Sequence, residues 1–305
     1  MANLKDLRMR IASVKSTRKI TSAMKMVAAS KLRQAQSRAE QSQPYARAMN
    51  EAMARLLNAI GDRQEKIALL DGTGKSQNVL MIVVSADRGL CGGFNSNVVR
   101  EARRKINGLL LDNKQVRILC IGKKGRDLLR RDFRELIIDD RALSHNFADA
   151  HEITKMLVAM FDAGTCDEVY VAYSQFKNVI TQTPLVKQLV PYQISDKSVQ
   201  QLLAQDKLAA SQGFAPGIYR FEPDALTLLK AMVPQMVASE LYRVQLEVGA
   251  GEQAARMTAM DNATRNAGDM INGLSLTYNR ARQAAITREV VEIISGAEAT
   301  ASQTA

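Results

Sequence analysis

From Pro234 to Ser295 the sequence keeps a helical apolar rhythm almost without interruption. About sixty residues at the α-helical rise make a rod of about 90 Å. Globular helices average about 11–12 residues, so the rest of the chain has to be organised around this run. Pro234 suits a first helical turn, where its missing N–H costs nothing. Val237, Leu241, Val244 and Val248 recur at alternating steps of four and three, and Ala267, Ile271, Leu274, Tyr278, Ala281 and Ala285 keep the alternation. This is a coiled-coil seam, and its alanines admit a close partner helix. Gly249 and Gly251 fall inside the run, each at a cost of about 1 kcal/mol relative to Ala. Local flexibility or the close approach of a neighbour would account for them.

The last turns differ from the seam. Ile286, Val290 and Ile293 lie along one face, with Val291 and Ile294 on another. A helix that is apolar on several sides is normally surrounded. Taken alone, the segment reads as a buried C-terminal core helix. Carried at the end of a rod, it is expected to be sleeved by other subunits.

Charge placement separates the two ends. Residues 1–47 hold eleven Lys/Arg against two acids, a net +9, whereas 224–295 hold seven against eight, a net −1. The chain total is +11, so the basic field belongs chiefly to the N-terminal segment. Only 5% of residues are aromatic and there is no Trp, which suits long helices better than one large core. Cys91, Cys120 and Cys166 are odd in number and lack metal-ligand spacing, which points to free thiols in a reducing compartment. His145 and His151 are six apart, so they do not share a helix face as a ligand pair would. There is no apolar run of spanning length and no signal-peptide pattern at the start.

Residues 3–58 read as one helix, with a seam of Leu4, Leu7, Ile11 and Val14. Polar residues then interrupt it, and Ile20, Met24 and Val27 resume it in a shifted register. Pro44 marks a place for a kink or break. Two long helices at opposite ends of the chain, each with a narrow seam, are natural antiparallel partners. Between them, runs 78–85, 116–122 and 168–176 are β-rich, and helical stretches near 96–111, 123–131 and 147–162 separate them. That alternation predicts an α/β domain with a mostly parallel sheet. Residues 181–194 add an extended segment broken by prolines, 195–217 are polar with room for a short helix, and 221–232 form a short helix before the long one.

Two stretches imitate phosphate sites. GTGKS (72–76) ends like a P-loop, but the position that needs the first glycine is Leu69, and the loop precedes a strand instead of following one. DRGLCGGFN (87–95) does join a strand to a helix, yet Gly89, Gly92 and Gly93 do not have dinucleotide spacing and the ribose-binding acid is missing. Glycines for a tight turn explain it better. Cys91 has no base near it in sequence to activate it. No catalytic residue, cofactor or metal is expected.

Three motifs carry a family resemblance. ITREVVEIISGAEA (286–299) resembles the C-terminal signature of the gamma subunit of F-type ATP synthases, through Thr287, Glu289, Glu292 and Gly296-Ala297. MRIASVKSTRKITSAMKMVAASKLR (9–33) resembles that family's N-terminal helix, and DRGLCGGFN its central loop. The resemblance runs the length of the chain in the right order. It implies a long antiparallel coiled coil, residues 1–75 with 215–305, and a Rossmann-like α/β domain inserted at 76–214. It implies a non-catalytic rotor shaft that couples proton flow through a membrane ring to the catalytic beta subunits. The implied partners are the alpha and beta subunits, the epsilon subunit and the membrane c-ring, at the cytoplasmic face of a bacterial inner membrane. Implied partner contacts are Met24, Lys25, Arg256, Arg282, Gln283 and Thr287, with Ile286, Val290 and Ile293 at the sleeved tip. Two alternatives stand beside it, a basic coiled coil that binds nucleic acid through residues 1–47 and a nucleotide-dependent enzyme that uses the glycine loop, and neither gives the apolar tip a role.

Overall fold

The computed structural model describes residues 4–60, 65–192 and 221–303. The polar stretch 195–217 lies outside the described residues. The chain divides into two units, one made of residues up to Ala28 with Arg256 onward, the other of Ala29–Ala255. Two long helices run through both: α1, Leu4–Ile60, and α6, Ala225–Gln303.

At a proline, one of these helices corrects the sequence reading and the other bears out a single helix. α6 starts nine residues before Pro234 and absorbs the expected short helix at 221–232. Its N-terminus is set by Asp224, whose carboxylate accepts from the Thr227 N–H at 2.9 Å and meets the Thr227 hydroxyl at 2.7 Å. Pro44 likewise lies inside an unbroken α1. In each case the ring deletes one i→i−4 hydrogen bond. Apolar contacts on both sides keep the helix going: Met53 and Leu56 after Pro44, Leu229, Val233 and Val237 around Pro234.

In the first unit the helices run antiparallel. Lys25 Nζ meets Asp261 Oδ1 at 2.6 Å, and the Thr21 and Thr264 hydroxyls lie 2.8 Å apart. Leu7, Thr21 and Ala28 of α1 are buried, as are Met260, Ala267 and Ile271 of α6, and Val14 is half-buried. Residues 7, 14, 21 and 28 are a single seven-residue repeat, so the expected register shift does not occur. Ile20 and Val27, read as seam residues, are instead 57% and 55% exposed. The seam holds its register through polar residues because Thr21 and Lys25 find partners across it. From Leu274 through Tyr278, Ala281 and Ala285 the α6 seam is only half-buried.

The second unit is an α/β layer. Its sheet has the order β3-β2-β1-β4-β5. The strands are β1 (Asn78–Val84), β2 (Gln115–Ile121), β3 (Ile137–Arg141), β4 (Glu168–Phe176) and β5 (Gln182–Val190). The first four are parallel and β5 pairs antiparallel with β4. The edge strand β3 is not legible in the sequence, because two of the five residues of IIDDR are acidic and the run is too short to show alternation. The connecting helices are α3 (Phe94–Leu111), α4 (Lys123–Phe133) and α5 (Phe147–Asp162), with α2 a single turn at Ala68–Asp71.

Period-two alternation sends neighbouring β1 side chains to opposite faces. Met81 and Val83 pack with Val98, Ala102 and Ile106 of α3 and Leu129 of α4. Leu80, Ile82 and Val84 join Ile153 and Leu157 of α5, together with Leu229, Val233, Val237, Leu241, Val244 and Val248 of α6. Six such side chains, each contributing about 1.5–3 kcal/mol when buried, make α6 an integral part of this core. Ala238, Gln245, Leu246 and Ala250 are buried as well. In this stretch the expected narrow seam is therefore a helix enclosed on several sides.

Candidate functional site: a filled crevice and an exposed tip

An open parallel sheet takes ligands at the carboxyl ends of its strands, where the crossovers part to opposite faces. In this strand order that place is between β1 and β4. The chain's own groups crowd this end of the sheet, on the β2 side as well as towards β4. The loop after β1 turns back on α4, whose first amide groups are all engaged: Lys123 N–H with Asp87 Oδ1 at 3.1 Å, Lys124 N–H with the Ala86 carbonyl at 3.1 Å, and Gly125 N–H with Ser85 Oγ at 2.8 Å. Asp87 also accepts from Leu143 N–H at 3.1 Å. A carboxylate of the protein thus stands where an anion would sit at a helix N-terminus. Gly122, at φ 99°, lets the turn close: a Cβ there would stand 2.0 Å from the Ser85 carbonyl oxygen.

Helix α6 closes the same end of the sheet. A Cβ on Gly249 would meet the His145 ring at 2.4 Å, and one on Gly251 would meet Phe94 at 3.0 Å. Close approach is therefore the reason for both glycines. Beside them, Glu240 accepts from Lys187 Nζ at 2.8 Å and from Arg243 Nε at 2.8 Å, and Arg243 also binds Glu247. Burial opposes ionisation of Glu240, but hydrogen bonds and charge from Arg243 and Lys187 outweigh it and hold the carboxyl down at about 2. This cluster ties α6 to β5. The sequence carried a signal for part of it, since Glu240, Arg243 and Glu247 have the i+3 and i+4 spacing of helical ion pairs.

GTGKS also holds a protein carboxylate. Asp167 accepts from Thr73 Oγ1 at 2.8 Å, Asn78 N–H at 2.8 Å and Gln77 N–H at 3.1 Å. The loop sits at the amino end of β1, the wrong end for a phosphate cradle. In DRGLCGGFN only Gly92 of the three glycines has positive φ, and Leu90 takes the other left-handed position. None of the three cysteines forms a disulfide, and all three are buried. Burial, reinforced by Asp140, pushes Cys120 up to about 12, and burial pushes Cys166 up to about 11, so both stay protonated.

The residues expected to contact partners fall into two groups, both in the first unit. Met24, Lys25 and Arg256 are half-buried at the antiparallel pairing, where Lys25 holds Asp261. Arg282, Gln283, Ile286, Thr287, Val290 and Ile293 are all exposed, with Ile293 at 70%. Positions 282, 286, 290 and 293 share one face of α6, beside 283 and 287. Asp261, which the sequence reading passed over, belongs with the first group.

A sheet whose carboxyl end is crowded by its own helix, and a long helix with an exposed apolar stretch at 286–294, fit a stalk-type subunit. The comparisons agree. The family model described as ATP synthase matches residues 3–300. The ATP synthase gamma chain of Granulibacter bethesdensis is 52% identical over 303 residues, covering 98% of this chain and 100% of that one. The gamma chain of Mesorhizobium japonicum is 48% identical with the same coverage. Among solved structures, the chain is similar to one from the central stalk and c-ring of Tetrahymena thermophila mitochondrial ATP synthase. The TM-score is 0.55 and the identity 28%, over 80% of this chain and 99% of that one. A chain from the Euglena gracilis mitochondrial ATP synthase rotor shares the fold, with TM-score 0.62 at 18% identity over 93% of this chain and 98% of that one. The chain belongs to the gamma-chain family of ATP synthases, as the non-catalytic central rotor shaft. The nucleic-acid reading finds no support in these likenesses. Among the described residues no helix is long and apolar enough to cross a membrane.

Proposed function

We propose that the α6 tip turns inside a sleeve of alternating alpha and beta subunits, and that the α/β layer and the opposite end bind the c-ring and the epsilon subunit. The chain then works as a peripheral subunit on the cytoplasmic side of a bacterial inner membrane. In this reading an α/β domain at about 76–214 is inserted between helical ends 1–75 and 215–305. The observation that carries it is the apolar end of α6, where Ile286, Val290, Val291, Ile293 and Ile294 are exposed on more than one face.

The mechanism follows from asymmetry. A pair of helices cannot present one surface to three sites arranged around it. Each angular position favours one site conformation over the others, and such differential contact is what shifts a conformational equilibrium. Arg256, Arg282, Gln283 and Thr287 supply polar contacts that hold particular angles, with Met24 and Lys25 on the facing helix. The apolar tip supplies a surface with few directional bonds, able to slip between them.

Reconstitution with alpha and beta subunits tests the reading. Replacing Ile286, Val290 and Ile293 by Asp puts charges where the sleeve is apolar. The variant chain is expected to fold, because these residues are exposed, but to lose most of the ATP hydrolysis of the assembled complex. Wild-type assembly and turnover in the triple variant would remove the sleeve from the proposal.

A further inference from the structure

The outward face of α4 carries charge that the fold does not use. Gly125 and Leu129 turn inward and are buried. The opposite arc presents Lys123, Lys124, Arg130 and Arg131, and Arg134 follows at its end, all of them exposed. Of the acids nearby, Glu135 is exposed beside Arg134 and offsets one of these charges, while Asp127, Asp140 and Asp132 are already held. Arg126 binds Asp127 at 3.0 Å and Asp140 at 2.7 Å, and Arg103 binds Asp132 at 2.6 Å. Among the described residues, none of the five outward cations has an ion-pair partner. Leu128, 41% exposed, flanks this arc on the same side as Lys124 and Arg131.

We propose that this face is a docking surface for anionic phospholipid headgroups. A convex helix with five unpaired cations matches a plane of phosphates, and Lys and Arg near such a surface act cumulatively. One exposed leucine among them can enter the headgroup boundary, as in interfacial helices. The arc has no aromatic side chain on which a nucleobase could stack, since Phe133 is half-buried on the inner side. The contact does not depend on the rotor reading and belongs to the isolated chain.

The test is co-sedimentation of the full-length chain with phosphatidylcholine vesicles, with and without phosphatidylglycerol. One variant replaces Lys123, Lys124, Arg130, Arg131 and Arg134 by Gln. A control removes five exposed cations from α1 by replacing Arg8, Arg10, Lys15, Lys19 and Lys31 by Gln. Thermal melts check that both remain folded. Wild-type chain is expected to bind only the anionic vesicles, and the α4 variant to lose about tenfold or more of that affinity. The control should keep most of it, and Leu128→Ala should weaken binding further at high salt than at low. Equal losses in variant and control would assign binding to overall charge and overturn the proposal. So would absence of wild-type binding, or capture of an acidic peptide or an oligonucleotide in place of the vesicles.

Discussion

At the scale of single residues, this chain is shaped by what stands where a ligand or a side chain would otherwise be. Gly122 is the sharpest case, because positive φ and a 2.0 Å approach to the Ser85 carbonyl coincide there. Gly122→Ala is expected to cost about 3 kcal/mol or more, since backbone cannot swing aside as a side chain can. Gly74→Ala is the matched comparison: φ is 77° but nothing lies within 4 Å, so only about 1–2 kcal/mol of left-handed strain is expected. Urea unfolding of both variants measures the difference, and equal losses would show that the close approach does not matter. The sequence reading places Gly122 at the end of the β-rich run 116–122 and Gly74 in the GTGKS loop without ranking them, because the neighbour that makes Gly122 obligatory is 37 positions away in the chain.

Glu240 gives a pH signature at the same scale. Its carboxyl goes from an ordinary 4.5 to about 2, so the unfolded chain binds protons more readily there than the folded one. The stabilisation is whole above about pH 4.5 and is lost as pH falls towards 2; the drop corresponds to about 3 kcal/mol. Glu247 acts in the opposite sense. Burial pushes its carboxyl up despite Arg243, so its share is present below the ordinary value and lost as pH rises through the folded one. Stability measured from about pH 6 down to pH 3 is expected to fall, and to fall less in Glu240→Gln. An unchanged slope in that variant would assign the acid sensitivity elsewhere.

At the scale of elements, the sequence was legible wherever apolar periodicity was long and misleading wherever polar residues held an apolar position. The α6 seam was read correctly at Val237, Leu241, Val244 and Val248, all buried, and again at Ala267 and Ile271. On α1 the reading moved to Ile20 and Val27 because they are apolar, while the structure buries their neighbours Thr21 and Ala28. Thr21 could not be recognised without Thr264, 243 residues away. The corrected register makes paired expectations. Ile20→Ser should change stability of the isolated chain by no more than about 0.5 kcal/mol. Ala28→Leu should cost about 1–3 kcal/mol by overpacking a position that is 1% exposed. The reverse order of effects would restore the shifted seam.

At the scale of the whole molecule, the same helix serves two chemistries along its length. Between Leu229 and Val248 α6 completes the core of the α/β layer, so that stretch is fixed by burial. From 272 to 296 its side chains are half-buried or exposed, and the core of the α/β layer places no demand on them. Residues kept polar there are free to serve an assembly, which makes Arg282 and Gln283 the informative pair. They lie beside Ala281, Ala284 and Ala285, so replacing both by Ala leaves the seam intact and introduces the best helix former. If they only solvate an exposed face, the double variant changes stability by no more than about 0.5 kcal/mol and leaves turnover alone. If they make charge-assisted hydrogen bonds to a stator loop, each such bond is worth about 1.5–3 kcal/mol. Normal melting of the isolated chain is then expected together with reduced ATP turnover in the reconstituted complex. Unchanged assembly, synthesis and hydrolysis would leave these two side chains with a solvating role and move the angular hold to Arg256 and Lys25.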